Sequence, residues 1–348
     1  MRALQFVNWK SDPELREVPK PVAGPGQVVV RIGGAGACHS DLHLLHDFEP
    51  GMMPWQLPIT LGHENAGWVD SVGSGVTSVK EGDAVAVYGP WGCGSCTRCR
   101  LGIETLCEHP ELSYAPGGGG GLGRDGGMAD YMLVPFERLL VKLPVGLGPE
   151  SAAPLTDAGL TPYHAVRRSW GKMTPESTVL VIGVGGLGHM GVQFVKQTTA
   201  ARVIAVDSKK DALDLATRVG ADHVLGSDVD VPSAVRELTH GLGADVVLDF
   251  VGAESTIRSA MASARSLADV TVVGIAGGTF PWNFFSQTYE VSLTTTYWGS
   301  RPELVELFDL AARGLVHAEH TVYSLDDAAK AYEDLRAGRV CGRAVIVP

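Results

Sequence analysis

Residues 178–197, TVLVIGVGGLGHMGVQFVKQ, constrain this chain more than any other stretch. Val179, Leu180, Val181 and Ile182 form a short, largely β-branched apolar run, the pattern of a strand buried on both faces. Gly183, Val184, Gly185, Gly186, Leu187 and Gly188 follow at once, and Met190, Val192, Phe194 and Val195 then occupy a segment long enough for a helix. In a GxGxxG placed there, one glycine permits the tight turn, one lets the backbone approach a pyrophosphate, and one lets helix pack on strand. The helix N-terminus offers free N–H groups and positive partial charge to phosphates. A second apolar run, 203–206, ends in Asp207, where an acid is expected to grip ribose hydroxyls. The motif alone is weak in a chain with 44 glycines. Its strand–turn–helix setting and the following acid make the segment a dinucleotide-binding βαβ unit rather than an ordinary one.

A chain of 348 residues has room for two domains with substantial cores. Its net charge of −11 argues against binding to a nucleic-acid backbone. No run of 18 apolar residues predicts a membrane span. The opening MRALQFVNWK lacks the apolar core of a signal peptide, so the expected location is the cytoplasm. Of six cysteines, four crowd between positions 93 and 107, which favours a metal over a disulfide framework.

Residues 1–36 read as strands joined by turns, with a strand at 27–32 running into Gly33-Gly34-Ala35-Gly36-Ala37. In Cys38-His39-Ser40-Asp41-Leu42-His43, Ser40 or Asp41 is a candidate cap for a short helix, and Cys38 by itself reads as a small buried hydrophobe. His63 and Glu64 by themselves read as a polar pair at a strand end. Short strands with frequent glycine turns to about residue 90 suggest a small barrel or sandwich. Cys93, Cys96, Cys99 and Cys107 then form C-x2-C-x2-C-x7-C in a lobe at 91–109, the spacing of a closed tetrahedral zinc site. An iron–sulfur cluster is the alternative, although the fourth cysteine stands seven rather than three residues on. The glycine-rich stretch 114–127 reads as a flexible loop without a partner strand, either a cover for a pocket or a mere connection.

Residues 151–170 lead into the second domain, and Asp157 by itself reads as a helix N-cap. Strands are expected at 179–182, 203–206, 223–225, 245–250 and 270–275, with helices that include 209–219 and 230–240. This alternation is that of a doubly wound parallel sheet. A strand near 290–296 either extends the sheet or mediates assembly. Helices at 302–314 and 325–337 and a last strand at 343–347 complete the chain.

With these pieces placed, the chain resembles the zinc-dependent medium-chain dehydrogenase/reductase superfamily over its full length, and specifically looks like a bacterial NAD-dependent alcohol dehydrogenase. The residues that carry the resemblance are Cys38-His39-Ser40-Asp41, Gly62-His63-Glu64, the four-cysteine lobe, the glycines from Gly183 to Gly188, Asp207 and Cys341-Gly342-Arg343. The resemblance implies an α/β protein: a GroES-like β-barrel catalytic domain from both chain ends (1–153 and 291–348) and an inserted Rossmann domain (154–290). It implies two zinc ions per chain, one structural in the lobe and one catalytic with an open position for a substrate oxygen. Cys38 and His63 match two catalytic ligands. Asp157 stands where the third is usually cysteine, and carboxylate is an accepted zinc ligand.

The resemblance also assigns roles. Ser40 matches the hydroxyl that bonds the substrate oxygen, His43 the histidine that passes its proton outward, and Glu64 the residue that approaches zinc during water exchange. His39 and Arg343 match pyrophosphate contacts, while Thr161, Val251, Val273 and Gly274 match positions around the nicotinamide. Gly183, Gly185, Gly186, Leu187 and Gly188 form the turn, and Pro54, Trp55 and Trp298 fall where pocket walls are expected. The implied reaction is reversible hydride transfer between a small-to-medium apolar alcohol and NAD, by a homodimer or homotetramer. A polyol or formaldehyde dehydrogenase is the alternative within the superfamily. A zinc-free quinone reductase and a non-enzymatic binding protein are alternatives outside zinc catalysis. The family often carries Lys or Arg five residues after the ribose-binding acid. Ala212 stands there, with Lys209 and Lys210 as substitutes.

Overall fold

The computed structural model describes every residue except Tyr114, Pro116 and Gly117. The chain forms two compact units, Met1–Leu160 with Trp298–Pro348, and Thr161–Tyr297. The expected junctions were 153/154 and 290/291.

The first unit is organised around the ten-residue strand Val28–Ala37. It pairs antiparallel with Glu64–Val72 on one side, with Arg343–Val347 from the far end of the chain on the other, and also with Tyr131–Val134. Leu140–Lys142 and Ala84–Val87 extend the sheet beyond Glu64–Val72, and His320–Ser324 extends it beyond Arg343–Val347. Arg2–Phe6 heads a second, three-stranded sheet. Strands from both chain ends thus build one mixed sheet, with the expected GroES-like connectivity. The strand expected at 27–32 continues through the glycine run. Gly33 has Trp68 and Pro149 where a Cβ would stand, and at Gly36 a Cβ would fall on the Glu64 carboxylate. Small residues here make room across the ladder rather than break it.

The second unit carries a six-stranded parallel sheet in the order His223–Gly226, Arg202–Asp207, Thr178–Ile182, Ala244–Asp249, Ala264–Val272, Ser292–Thr295. The chain runs outward in one direction from Thr178–Ile182, then returns and runs outward in the other. The topological switch therefore lies between Thr178–Ile182 and Ala244–Asp249, which is where open α/β sheets bind ligands at their carboxyl ends. Leu180, Ile204, Val247 and Val270 from successive strands meet Val235, Ile257 and Ala260 of the covering helices in one core. Ser292–Thr295 extends this sheet as its edge strand, the first of the two expectations for 290–296. No helix of the described residues is long and apolar enough to cross a membrane.

Candidate active site and metal centres

Cys38, His63 and Asp157 come from three separate elements of the first unit. Cys38 is the N-cap of the helix His39–His46, directly after the central strand. The expected cap is corrected here. Neither Ser40 nor Asp41 takes that position, and Asp41 is instead the third helical residue, whose Oδ2 accepts from the Cys38 N–H at 2.9 Å. His63 precedes Glu64–Val72, and Asp157 ends the 3-10 turn Ala153–Thr156. The helix Leu160–Arg168 starts three residues later, so Asp157 is not its N-cap.

One ligand atom each from Cys38, His63 and Asp157 lies within 4.8 Å of the others. His63 Nε2 is 3.5 Å from Asp157 Oδ2. A tetrahedral ion with bonds of about 2.1 Å spaces its ligands about 3.4 Å apart. His63 Nδ1 faces the other way, 3.2 Å from Asp41 Oδ1, within charge contact but off the line of a hydrogen bond. Asp41 is wholly buried, and its Oδ2 also accepts from the Tyr332 hydroxyl at 2.9 Å. Burial alone would lower the His63 pKa, but Asp41, Asp157 and Cys38 more than offset it and hold it well above the usual range. Two potential anions beside a buried imidazole demand positive charge at their centre, and a zinc ion fits that demand. Asp41 is the carboxylate that faces the outer nitrogen of the histidine.

Ser40 Oγ stands 3.5 Å from His63 Nε2, at the same centre. Trp298 is buried, packs edge-on to the His63 ring with centroids 6.0 Å apart, and adopts φ 52°. Trp55 is half-buried, with its indole against Gly123, and Pro54 is exposed. His39 is exposed and His43 half-buried. Arg343, expected at the pyrophosphate, is buried and committed to Glu64: its Nε donates to Oε2 at 3.0 Å and its Nη2 to Oε1. Burial raises the Glu64 carboxyl, and Arg343 pulls it back. Burial would lower the Arg343 pKa, but Cys38, Glu64 and Asp157 hold it well above its ordinary value.

The described part of the glycine-rich stretch is not the flexible loop the sequence suggested. Gly119–Gly120 pairs with Gly123–Arg124, and Gly118 to Gly121 are buried. The Gly127 and Met128 N–H groups donate to Gly62 and Leu61, and Asn65 Nδ2 donates to Gly62, so this segment backs the turn that carries His63. At Gly121, φ is +82° and a Cβ would lie 2.5 Å from the Gly62 backbone. Gly121→Ala is expected to cost about 2 kcal/mol or more and to displace His63. Thermal unfolding and metal content will check this; unchanged values for both would refute it.

The four lobe cysteines form the second cluster. Cys93 Sγ and Cys99 Sγ are 3.8 Å apart, the edge of a tetrahedron with zinc–sulfur bonds of about 2.3 Å. The Ser95 hydroxyl and N–H and the Cys96 N–H point at Cys93 Sγ and hold its thiol down at about 5. The Cys99 N–H lowers Cys96 in the same way, whereas burial raises Cys99 and Cys107. All six cysteines are free thiols. The lobe is braced by buried Glu104, which accepts from Gly92 N at 2.7 Å and Arg138 Nε at 3.2 Å.

In the second unit the motif glycines divide their work. Gly183 takes φ +83°, Gly185 faces open space, and a Cβ on Gly188 would collide with Gly183 O. Gly186 and Leu187 complete the turn, with Leu187 at the N-cap of Gly188–Thr198. Asp207 ends its strand beside this turn, its Oδ2 accepting from Val184 N at 2.7 Å and its Oδ1 from Lys209 N at 2.9 Å. Val251, Val273 and Gly274 follow the carboxyl ends of Ala244–Asp249 and Ala264–Val272, where Val273 N and Gly274 N both donate to Asp249 O. Sequence reasoning missed the Asp249 side chain, which is buried and accepts from Val251 N, Gly252 N and Thr256 Oγ1. Thr161 opens the unit, buried in the first turn of Leu160–Arg168.

Residues 24–145 match the alcohol dehydrogenase GroES-like domain, and residues 186–313 match the zinc-binding dehydrogenase domain. The chain belongs to the zinc-binding alcohol dehydrogenase family of medium-chain dehydrogenases. It is 36% identical to an NAD-dependent alcohol dehydrogenase of Sulfurisphaera tokodaii across the whole of both chains. The solved alcohol dehydrogenase of the hyperthermophilic archaeon Aeropyrum pernix superposes with a TM-score of 0.91, at 36% identity and full coverage of both chains. The D-arabinose dehydrogenase of Sulfolobus solfataricus superposes with a TM-score of 0.84, at 31% identity, covering all of this chain and 99% of that one.

Proposed function

We propose that this chain is an NAD-dependent zinc alcohol dehydrogenase acting reversibly on small-to-medium apolar primary and secondary alcohols. The observation that carries the reading is the convergence of Cys38, His63 and Asp157 on one point, with Ser40 beside it. When bound, a zinc ion at that point supplies a Lewis acid for the substrate oxygen, and the nicotinamide cofactor supplies the hydride acceptor. Ser40 bonds the substrate hydroxyl and His43 carries its proton toward water. Glu64, held by Arg343, keeps a negative charge in reserve beside the ligands. The four lobe cysteines hold a second, structural zinc. Trp298, buried against His63, supplies an apolar wall. His39 is assigned to the pyrophosphate and Thr161, Val251, Val273 and Gly274 to the nicotinamide, whereas Arg343, buried against Glu64, serves the ligand side of the site. The enzyme acts in the cytoplasm as a homodimer or homotetramer.

A panel of 2-propanol, 1-phenylethanol, sugars and glutathione adducts, read by NAD reduction, tests the substrate class. Strong activity on sugars with none on the secondary alcohols rejects it. The similarity to a D-arabinose dehydrogenase makes a sugar or polyol the second reading.

Asp207 sets the cofactor preference, because its carboxylate accepts from ribose hydroxyls and repels a 2′-phosphate. Asp207→Ser is expected to lower kcat/KM with NAD by about tenfold or more and to narrow the gap to NADP, a loss of about 1.4 kcal/mol. Equal efficiency with both cofactors in the unmodified enzyme refutes the assignment.

A further inference from the structure

Ser40, His43 and Asp47 fall at i, i+3 and i+7 along the helix His39–His46 and its C-cap, so they share one face. The face runs from the buried centre toward water. Ser40 stands 3.5 Å from His63 Nε2, the His43 side chain is 35% exposed, and the Asp47 side chain is 62% exposed. His43 Nδ1 lies 2.5 Å from Asp47 Oδ2. The carboxylate is placed by the helix end, where Asp47 N donates to His43 O at 2.8 Å and Phe48 N to the same oxygen at 3.2 Å. Lys10 Nζ donates to Asp47 O at 3.2 Å and pairs with Glu49 at 2.9 Å, bracing the turn. His46, on the same helix, is engaged separately by Arg336 and Asp12.

An ionised carboxylate only accepts hydrogen bonds, so His43 Nδ1 carries the hydrogen and Nε2 keeps its lone pair. We infer that Asp47 is a positioning residue of the proton path, holding His43 in the Nδ1–H tautomer so that Nε2 is the accepting nitrogen. The proton that arrives at Nε2 leaves from the same nitrogen to bulk water, which reaches the half-exposed ring, and the Nδ1–H tautomer is restored. Asp47 gains none and offsets the charge of the transient imidazolium. The inference rests on the relay role of His43 in the proposed function.

The test uses the holoenzyme with NAD, a good alcohol substrate and a pH indicator in stopped flow. His43→Gln, Asp47→Ala and Asp47→Asn are compared with and without added imidazole. His43→Gln is expected to slow proton release by about 10²-fold, and imidazole is expected to restore it. Asp47→Ala is expected to slow it by about tenfold, with substrate KM and thermal unfolding unchanged and with imidazole again restoring it. Asp47→Asn keeps an acceptor for Nδ1–H but removes the charge that offsets the imidazolium, and is expected to fall between Asp47→Ala and the unmodified enzyme. Nitrogen-15 NMR of the His43 ring is expected to show one tautomer in the unmodified protein and a mixture in Asp47→Ala. If His43→Gln is impaired and rescued while Asp47→Ala releases protons normally, or is slowed without rescue, the inference falls and the relay stands. A single tautomer in Asp47→Ala also overturns the inference. Normal proton release in His43→Gln overturns the relay and the inference together.

Discussion

Asp157→Asn is expected to lower kcat/KM by about 10³-fold or more while leaving the fold intact, a loss of about 4 kcal/mol of transition-state stabilisation. The substitution keeps shape and removes charge. Asp157 Oδ2 lies 3.5 Å from His63 Nε2 and 3.9 Å from Arg343 Nη2, so its charge faces the ligand point on one side and a buried guanidinium on the other. A neutral amide is a poor zinc ligand and leaves Cys38 as the one anionic donor of the three. Zinc is expected to fall from about two per chain toward one, with the lobe ion retained. Thermal unfolding should barely move, because Asp157 does not stand at a helix N-cap position: it follows a 3-10 turn and precedes the next helix by three residues. Near-normal turnover with a loss of about 1 kcal/mol in stability would instead make it a turn residue. Asp157→Cys is expected to retain both ions, since a thiolate carries the same charge.

What the sequence made legible was local. The strand, turn and helix around Gly183 follow from a period change and three glycines, and the cysteine lobe follows from spacing alone. The arrangements that escaped it depend on which distant strands become neighbours. Glu64 and Arg343 are 279 positions apart and meet because Arg343–Val347 lies beside Val28–Ala37, which also pairs with Glu64–Val72. Asp41 and Tyr332, 291 positions apart, meet where the helices His39–His46 and Ala328–Arg336 pack together. The glycine-rich stretch 114–127 looked like looseness, and the run at 33–36 carried no reading of its own, since a missing side chain says nothing in sequence about what fills its place. At Gly36 the Glu64 carboxylate fills it, and at Gly121 the Gly62 backbone does. Asp47 was within reach: it stands four residues after His43 on a helix already expected, the spacing at which side chains meet.

Cys96→Ser is expected to have the largest effect on stability. The lobe has little apolar core of its own: Leu101, Leu106 and Leu112 are all exposed. Its order comes from four sulfurs, the Glu104–Arg138 brace and ties to the rest of its unit. Tyr88 Oη donates to Gly102 O at 3.3 Å and to Gly299 O at 2.6 Å, and Arg301 N donates to Gly102 O at 2.7 Å. Structural zinc sites supply folding free energy of about 10 kcal/mol or more to segments that cannot otherwise fold. Losing one thiolate leaves three donors and forfeits much of that energy. The expected result is one zinc per chain, a large fall in the unfolding temperature, and rapid proteolysis after Arg98 or Arg100, whose side chains are already exposed. Activity should fail with it for a separate reason. Gly299 and Arg301, tied to the lobe and to Tyr88, flank the turn that presents Trp298 to His63, so a loosened lobe frees that indole. Tyr88→Phe separates the two effects. It keeps all four sulfurs and removes one tie, so zinc content should stay at two while KM for apolar alcohols rises. Loss of the lobe zinc with an unchanged unfolding temperature in Cys96→Ser would show that the lobe is held by its hydrogen bonds and not by its metal.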